Sequence, residues 1–134
     1  MRMTRASTYA VHAVAYMASQ KKDQPTASHI IAQKRGISDR FLLKVLKPLV
    51  NAQVLFSVKG PNGGYRLARP ATDITVLEIL EAVDGPIRGH APSGGEKEPN
   101  HPLNRRLSQI CNQLAEQQRR QLGKIKISEI SLRD

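Results

Sequence analysis

The spacing of apolar positions changes character several times along the chain. Ala6, Tyr9, Ala10, Ala13, Val14 and Met17 recur at helical intervals behind a capping Thr4, which predicts a first helix ending in the polar stretch 19–24. Pro25 and Thr26 lead into a short helix carrying Ile30, Ile31 and Ala32. Gly36 supplies the left-handed backbone that closes it, and Ser38 is placed to cap the next helix. That helix keeps Phe41, Leu42, Val45, Leu46 and Leu49 on one side. Pro48 lacks a backbone donor and is expected to weaken its last turn.

From residue 54 to 67 the period falls to two. Val54, Phe56 and Val58 alternate, Gly60-Pro61-Asn62-Gly63-Gly64 reads as a turn, and Tyr65 and Leu67 return, so a β-hairpin is predicted. Thr75-Val76-Leu77-Glu78 is a capping box opening a short helix that Asp84-Gly85 terminates. Residues 85–102 hold four Gly and four Pro with almost no large apolar group, the composition of a mobile loop. Leu103, Leu107, Ile110 and Leu114 follow at spacings of 4, 3 and 4, a short coiled-coil seam on a long helix that is predicted to pair two copies of the chain. Ile125, Ile127, Ile130 and Leu132 close the sequence as a strand-like link and a final turn.

The stretch Ala32-x-x-x-Gly36-Ile37-Ser38-x-x-x-Leu42 meets the needs of a helix-turn-helix. Ala32 is small where two helices touch, Gly36 is free to adopt positive φ, and Ile37 and Leu42 plug the space beneath the turn. A purely structural corner has similar needs, so the turn alone leaves that alternative open. The glycine-tipped basic hairpin that follows turns the pattern into a winged helix. The expected fold class is therefore mainly α with a small β-hairpin. A winged helix-turn-helix occupies 1–85, a flexible loop 86–102, and a long dimerisation helix with a C-terminal segment 103–134.

Charge adds the partner. The net charge is +10 over 134 residues, and residues 1–70 carry all of it, with 12 Lys/Arg against Asp23 and Asp39. A field of this kind suits a polyanion. On the predicted recognition helix Ser38, Arg40, Lys44 and Lys47 face away from the core. Arg and Lys donate to guanine O6 and N7, and each good base contact discriminates by roughly 1–3 kcal/mol. Lys47, near the helix end, reads as a phosphate contact, and Asp39 as a cap. At the wing, Lys59 and Arg66 flank Gly60, Pro61, Asn62 and Gly63, whose backbone amides can approach phosphate while Lys59 enters the minor groove. Arg2, Thr4, Arg5, Lys34 and Arg35 add contacts at the rim. Double-stranded DNA is the expected partner.

These residues resemble the bacterial winged-helix regulators typified by the iron–sulfur cluster regulator IscR and the nitric-oxide-sensitive repressor NsrR. The resemblance rests on Tyr9-Ala10-Val11, Gly36-Ile37-Ser38 and Val58-Lys59-Gly60-Pro61-Asn62-Gly63-Gly64-Tyr65-Arg66-Leu67, with support from Ile74-Thr75-Val76 and Ala82-Val83-Asp84-Gly85. It is close over residues 1–85 and a matter of layout beyond. It implies a homodimer, formed through the long helix, that binds a palindromic or near-palindromic operator; the simplest role for such a protein is that of a repressor. Ser38, Arg40, Phe41 and Lys44 match the family's base-reading positions, and Lys59 its minor-groove residue. Cluster-binding members place three cysteines in the loop before the dimer helix, and residues 86–102 have none. The position near which some members supply a further ligand holds Thr8, a poor ligand for iron. No iron–sulfur cluster, and no other cofactor, is expected.

Cys111, the sole cysteine, excludes an intrachain disulfide and a Cys-rich zinc site and stands as a candidate thiol sensor beside the seam. His90, Glu96, Glu98 and His101 are spaced too irregularly to predict a metal site. No nucleophilic triad, paired carboxylates or phosphate loop stands out, which argues against an enzyme. The sequence has no apolar run long enough to span a membrane and opens without a signal-peptide hydrophobic region, so a cytoplasmic protein with no membrane partner is expected. Two alternatives stay open: a winged-helix module binding RNA or protein, and a redox or metal sensor using Cys111 or the loop histidines.

Overall fold

The computed structural model describes residues 1–21, 24–92, 97 and 100–131. In chain order it runs α1 (Arg5–Ala18), α2 (Ser28–Arg35), α3 (Asp39–Asn51), β1 (Leu55–Val58), β2 (Gly64–Leu67), a 3-10 turn (Ala71–Asp73), α4 (Val76–Asp84), α5 (Pro102–Leu122) and α6 (Ile127–Ile130). Local chemistry sets the boundaries. The Thr4 hydroxyl accepts from Ser7 N at 3.0 Å and the Ser38 hydroxyl from Phe41 N at 3.1 Å, satisfying amides that have no partner within their helix. Thr75 and Glu78 cap each other at the start of α4, with bonds of 3.1 and 2.9 Å. Gly36 closes α2 at φ +67°.

Small residues bring α1 close to its neighbours. Ala10, Ala13 and Val14 are fully buried, and α1 packs on both α3 and α4. From α3, Leu42, Leu46 and Leu49 fill the same core completely. Pro48 does not disturb it: α3 runs on to Asn51, because fully buried Leu49 anchors the last turn and Ala52 N still reaches Pro48 O at 2.9 Å. At the other end of the chain Ile127 is fully buried, and Val76 N and Ile127 N bond to Ile125 O and Ile74 O, both at 2.9 Å. The strand-like link is a bridge between Thr75 and Lys126, the final turn is α6, and Leu132 lies outside the described residues.

The hairpin is present but its inward face differs from the sequence expectation. Val54 and Leu55 are both buried, whereas Phe56 is 48% exposed. Val54 belongs to the turn that ends α3, since its amide bonds to Leu49 O at 3.0 Å after Gln53 at φ +61°, so the inward set of β1 begins at Leu55. The strands pair antiparallel, with Leu55 opposite Leu67 and Phe56 opposite Arg66.

A third edge contact, with no periodic signal in the sequence, fixes the wing to the body. Thr26, between α1 and α2, exchanges two backbone bonds with Tyr65, of 2.8 and 2.9 Å. Gly64 makes that approach possible. It lies at φ +152°, and a β-carbon there would overlap the Thr26 carbonyl group. Gly64→Ala is expected to destabilise the fold by about 1–3 kcal/mol, through overpacking against backbone that has little room to move. Urea unfolding should show a lowered midpoint at unchanged slope.

The stretch 86–92 has no helix or strand and is held to the body. Ile87 N donates to Glu81 Oε2 at 2.9 Å, and Gly89 lies directly on the α5 backbone at Cys111 and Asn112. Helix α5 itself has two unlike sides. Ala115 is buried, and Arg119 pairs with Glu81 of α4 at 3.1 Å. The stripe of Leu103, Leu107, Ile110 and Leu114 is exposed, at 58%, 41%, 37% and 54%. Among the described residues no helix is long and apolar enough to cross a membrane.

Candidate nucleic-acid interface

Arg40, Lys44 and Lys47 stand at i, i+4 and i+7 of α3, opposite the buried Leu42, Val45, Leu46 and Leu49, and all three are exposed. The core faces of the helix therefore aim one basic face at solvent. Ser38 sits at its N-cap, with its oxygen accepting from Phe41 N. Phe41 is turned the other way, half-buried and edge-on to Tyr9 with ring centroids 5.2 Å apart. That contact fixes the rotation of α3 against α1. Thr4 is likewise engaged: its hydroxyl caps α1 and lies 2.9 and 3.0 Å from the two Asp84 oxygens.

At the wing tip Lys59, Gly60, Pro61 and Asn62 are exposed, and Gly63 N closes the turn on Gly60 O at 2.9 Å. Arg66 extends across the ring of its cross-strand partner Phe56, 5.1 Å from the centroid, so the guanidinium is held on the outer face of the hairpin. Arg2, Arg5 and Lys34 are exposed. Arg35, expected at the rim, instead lies half-buried over the Tyr16 ring at 5.3 Å.

Two residues escaped the sequence reading. Arg69 is counted in the basic half but, half-buried, is committed to partners within the chain. It donates to Glu78 Oε1 at 2.6 Å and to the Asp73 carbonyl at 3.0 Å, tying the root of the wing to α4. Leu43 is 46% exposed beside Arg40 and Lys47. The doublet Leu42-Leu43 carried that signal, because a helix cannot bury both neighbours on one narrow stripe.

Partial burial pulls the Glu78 carboxyl up, but the Arg69 guanidinium, the Thr75 amide and the Thr75 hydroxyl outweigh it and hold the group below its ordinary value. A lowered carboxylate stabilises the fold above the usual carboxylate range, and that contribution is lost as pH falls through the lowered value. Glu78→Gln is thus expected to cost stability at neutral pH and to flatten the decline below about pH 4. Thermal melts of both proteins across that range test this.

Among the described residues no group of three His, Cys, Asp or Glu is close enough to hold a metal ion. Glu96 and Glu98 lie outside the described residues. Cys111 is half-buried between the packed side of α5 and its exposed stripe.

A family model described as Rrf2, iron-dependent transcriptional regulator, matches residues 3–132. The chain is 37% identical over 84 residues to protein aau3 of Rhizobium meliloti, covering 63% of this chain and 54% of that protein. It is 31% identical to the HTH-type transcriptional regulator IscR of Xenorhabdus nematophila, over 97% of this chain and 79% of that protein. The structure of CymR (YrzC), the global cysteine regulator of B. subtilis, superimposes with a TM-score of 0.77 at 21% identity, over 98% of this chain and 96% of that one, which shows a shared winged-helix fold. The chain spans about half the length of the first curated relatives it matches. With the fold and the family model agreeing over nearly every residue, this chain belongs to the Rrf2 family of transcriptional regulators.

Proposed function

We propose that the chain binds duplex DNA sequence-selectively as a homodimer and acts, most simply, as a repressor that occludes a promoter. The observation that carries this is the row Arg40, Lys44 and Lys47, exposed on a helix whose other side is locked into the core, together with the exposed Lys59 on a hairpin pinned by Thr26. In this reading α3 enters the major groove and the wing follows the neighbouring minor groove. Arg40 and Lys44 donate to base edges, Ser38 lies at the groove floor, and Lys47, Arg66 and Arg2 meet phosphates. Thr4 and Phe41 serve by position, fixing α1 and the rotation of α3. Two copies joined along Leu103, Leu107, Ile110 and Leu114 would read two half-sites about one helical turn, or a multiple, apart.

The family description names iron, and the donors of this chain do not fit a cluster. Iron–sulfur clusters are held chiefly by thiolates, and each protomer has one thiol, on α5 rather than in the preceding loop. The regulator proposed here works without one, and no step of its action runs through iron.

Selection of bound duplexes from a random pool tests the proposal, with duplex RNA and single strands as competitors. Enrichment of a two-fold motif is expected, with affinity falling on the order of a thousandfold between about 50 and 200 mM salt. Equal affinity for every duplex, or preference for RNA, would sink it.

A further inference from the structure

The recognition helix carries one side chain whose chemistry its cationic face does not account for. Leu43 is 46% exposed, while Leu42 and Leu46 on either side of it are fully buried. The core demand of α3 is met by Leu42, Val45, Leu46 and Leu49, so Leu43 is not needed to hold the helix in place. It stands three residues after Arg40 and four before Lys47, which makes it their direct neighbour on the helix surface. A lone exposed leucine on a protein surface is ordinary. This one is flanked by two cations on the element that would approach DNA.

Those cations select the partner. A second protein offering an apolar pocket would have to accept Arg40 and Lys47 at its rim, whereas a polyanion is drawn to them. In the major groove the apolar group on offer is the C5-methyl of thymine. We infer that Leu43 is a specificity-determining residue that packs against a thymine methyl in each half-site, so that α3 combines charged contacts with one apolar contact. This rests on the DNA-binding reading above and adds to it a base identity.

Replacing thymine by deoxyuridine removes that methyl and nothing else. Each thymine of the selected half-site is replaced in turn, symmetrically in both halves, and binding of the full-length protein is measured by fluorescence anisotropy. At one position the wild type is expected to bind about fourfold more weakly per half-site, the fold-change for one buried carbon, and so about fifteenfold for the symmetric duplex. Leu43→Ala should bind the thymine and deoxyuridine duplexes equally, with an unchanged salt slope, since no cation is removed. Leu43→Met should retain part of the preference. If no thymine shows a penalty in the wild type, or if Leu43→Ala keeps it in full, the assignment of Leu43 is wrong while the DNA-binding reading stands. Failure of the pool to enrich any sequence overturns both together.

Discussion

Reversing Arg40 and Lys44 together to glutamate is expected to reduce selective duplex binding to the non-specific level or below, with the fold intact. The size follows from the number of contacts. A dimer would lose four base-edge donors, each worth roughly 1–3 kcal/mol of discrimination. That sum equals or exceeds the roughly 4–10 kcal/mol by which specific binding usually surpasses non-specific binding. The four new carboxylates add repulsion against phosphate. Stability should change by no more than about 0.5 kcal/mol, because both side chains are exposed. The comparison that isolates position from charge is Arg88→Glu with Lys124→Glu, an equal change of net charge at two exposed sites away from α3. Anisotropy titrations on the selected operator should separate the pair by at least about a hundredfold, in line with a loss of at least two base contacts. Equal weakening by both variants would show that the row on α3 contributes field and no reading.

The elements that were legible from the sequence are those whose signals are local. The Thr75–Glu78 capping box, the left-handed Gly36 and the stripe of Leu42, Val45, Leu46 and Leu49 each need only a few neighbouring residues, and each is found as read. The inward face of the hairpin was misread because Val54 looks like the first member of an alternating set, while its amide is committed to Leu49. Nothing near Thr26 announces a strand, since one bridging residue has no period; only the pressing of Gly64 onto its carbonyl shows why a second glycine follows Gly63. The charge count overstated the basic surface in the same way. Arg69 and Arg35 read as surface cations, and their partners Glu78 and Tyr16 stand 9 and 19 residues away, beyond any local pattern. The basic face of α3 was legible because amphipathic periodicity decides which side of a helix meets water. Leu43 was passed over because it is apolar on a helix whose other apolar positions face the core, although it falls outside their stripe.

Leu107→Glu combined with Ile110→Glu is expected to convert a dimer to a monomer and to weaken binding to the two-half-site operator by about 10²–10⁴-fold, the factor lost when the second half-site must be found by a separate molecule. The two side chains are 41% and 37% exposed within the protomer, and the opposite side of α5 is held by Ala115 and by the pairing of Arg119 with Glu81, so the helix has a reason to persist when the stripe is made acidic. Two apolar side chains one helical turn apart would each acquire a charge facing the same charge on the partner, and a short seam of four apolar residues has little else to offset that cost. Sedimentation of Gln109→Glu, an exposed change on α5 off the seam, should match the wild type. On a duplex carrying a single half-site the seam variant and the wild type should bind alike, because each protomer's reading surface is untouched. A seam variant that still sediments as a dimer would place the pairing surface elsewhere, and one that is monomeric yet keeps full operator affinity would remove the two-fold geometry from the mechanism.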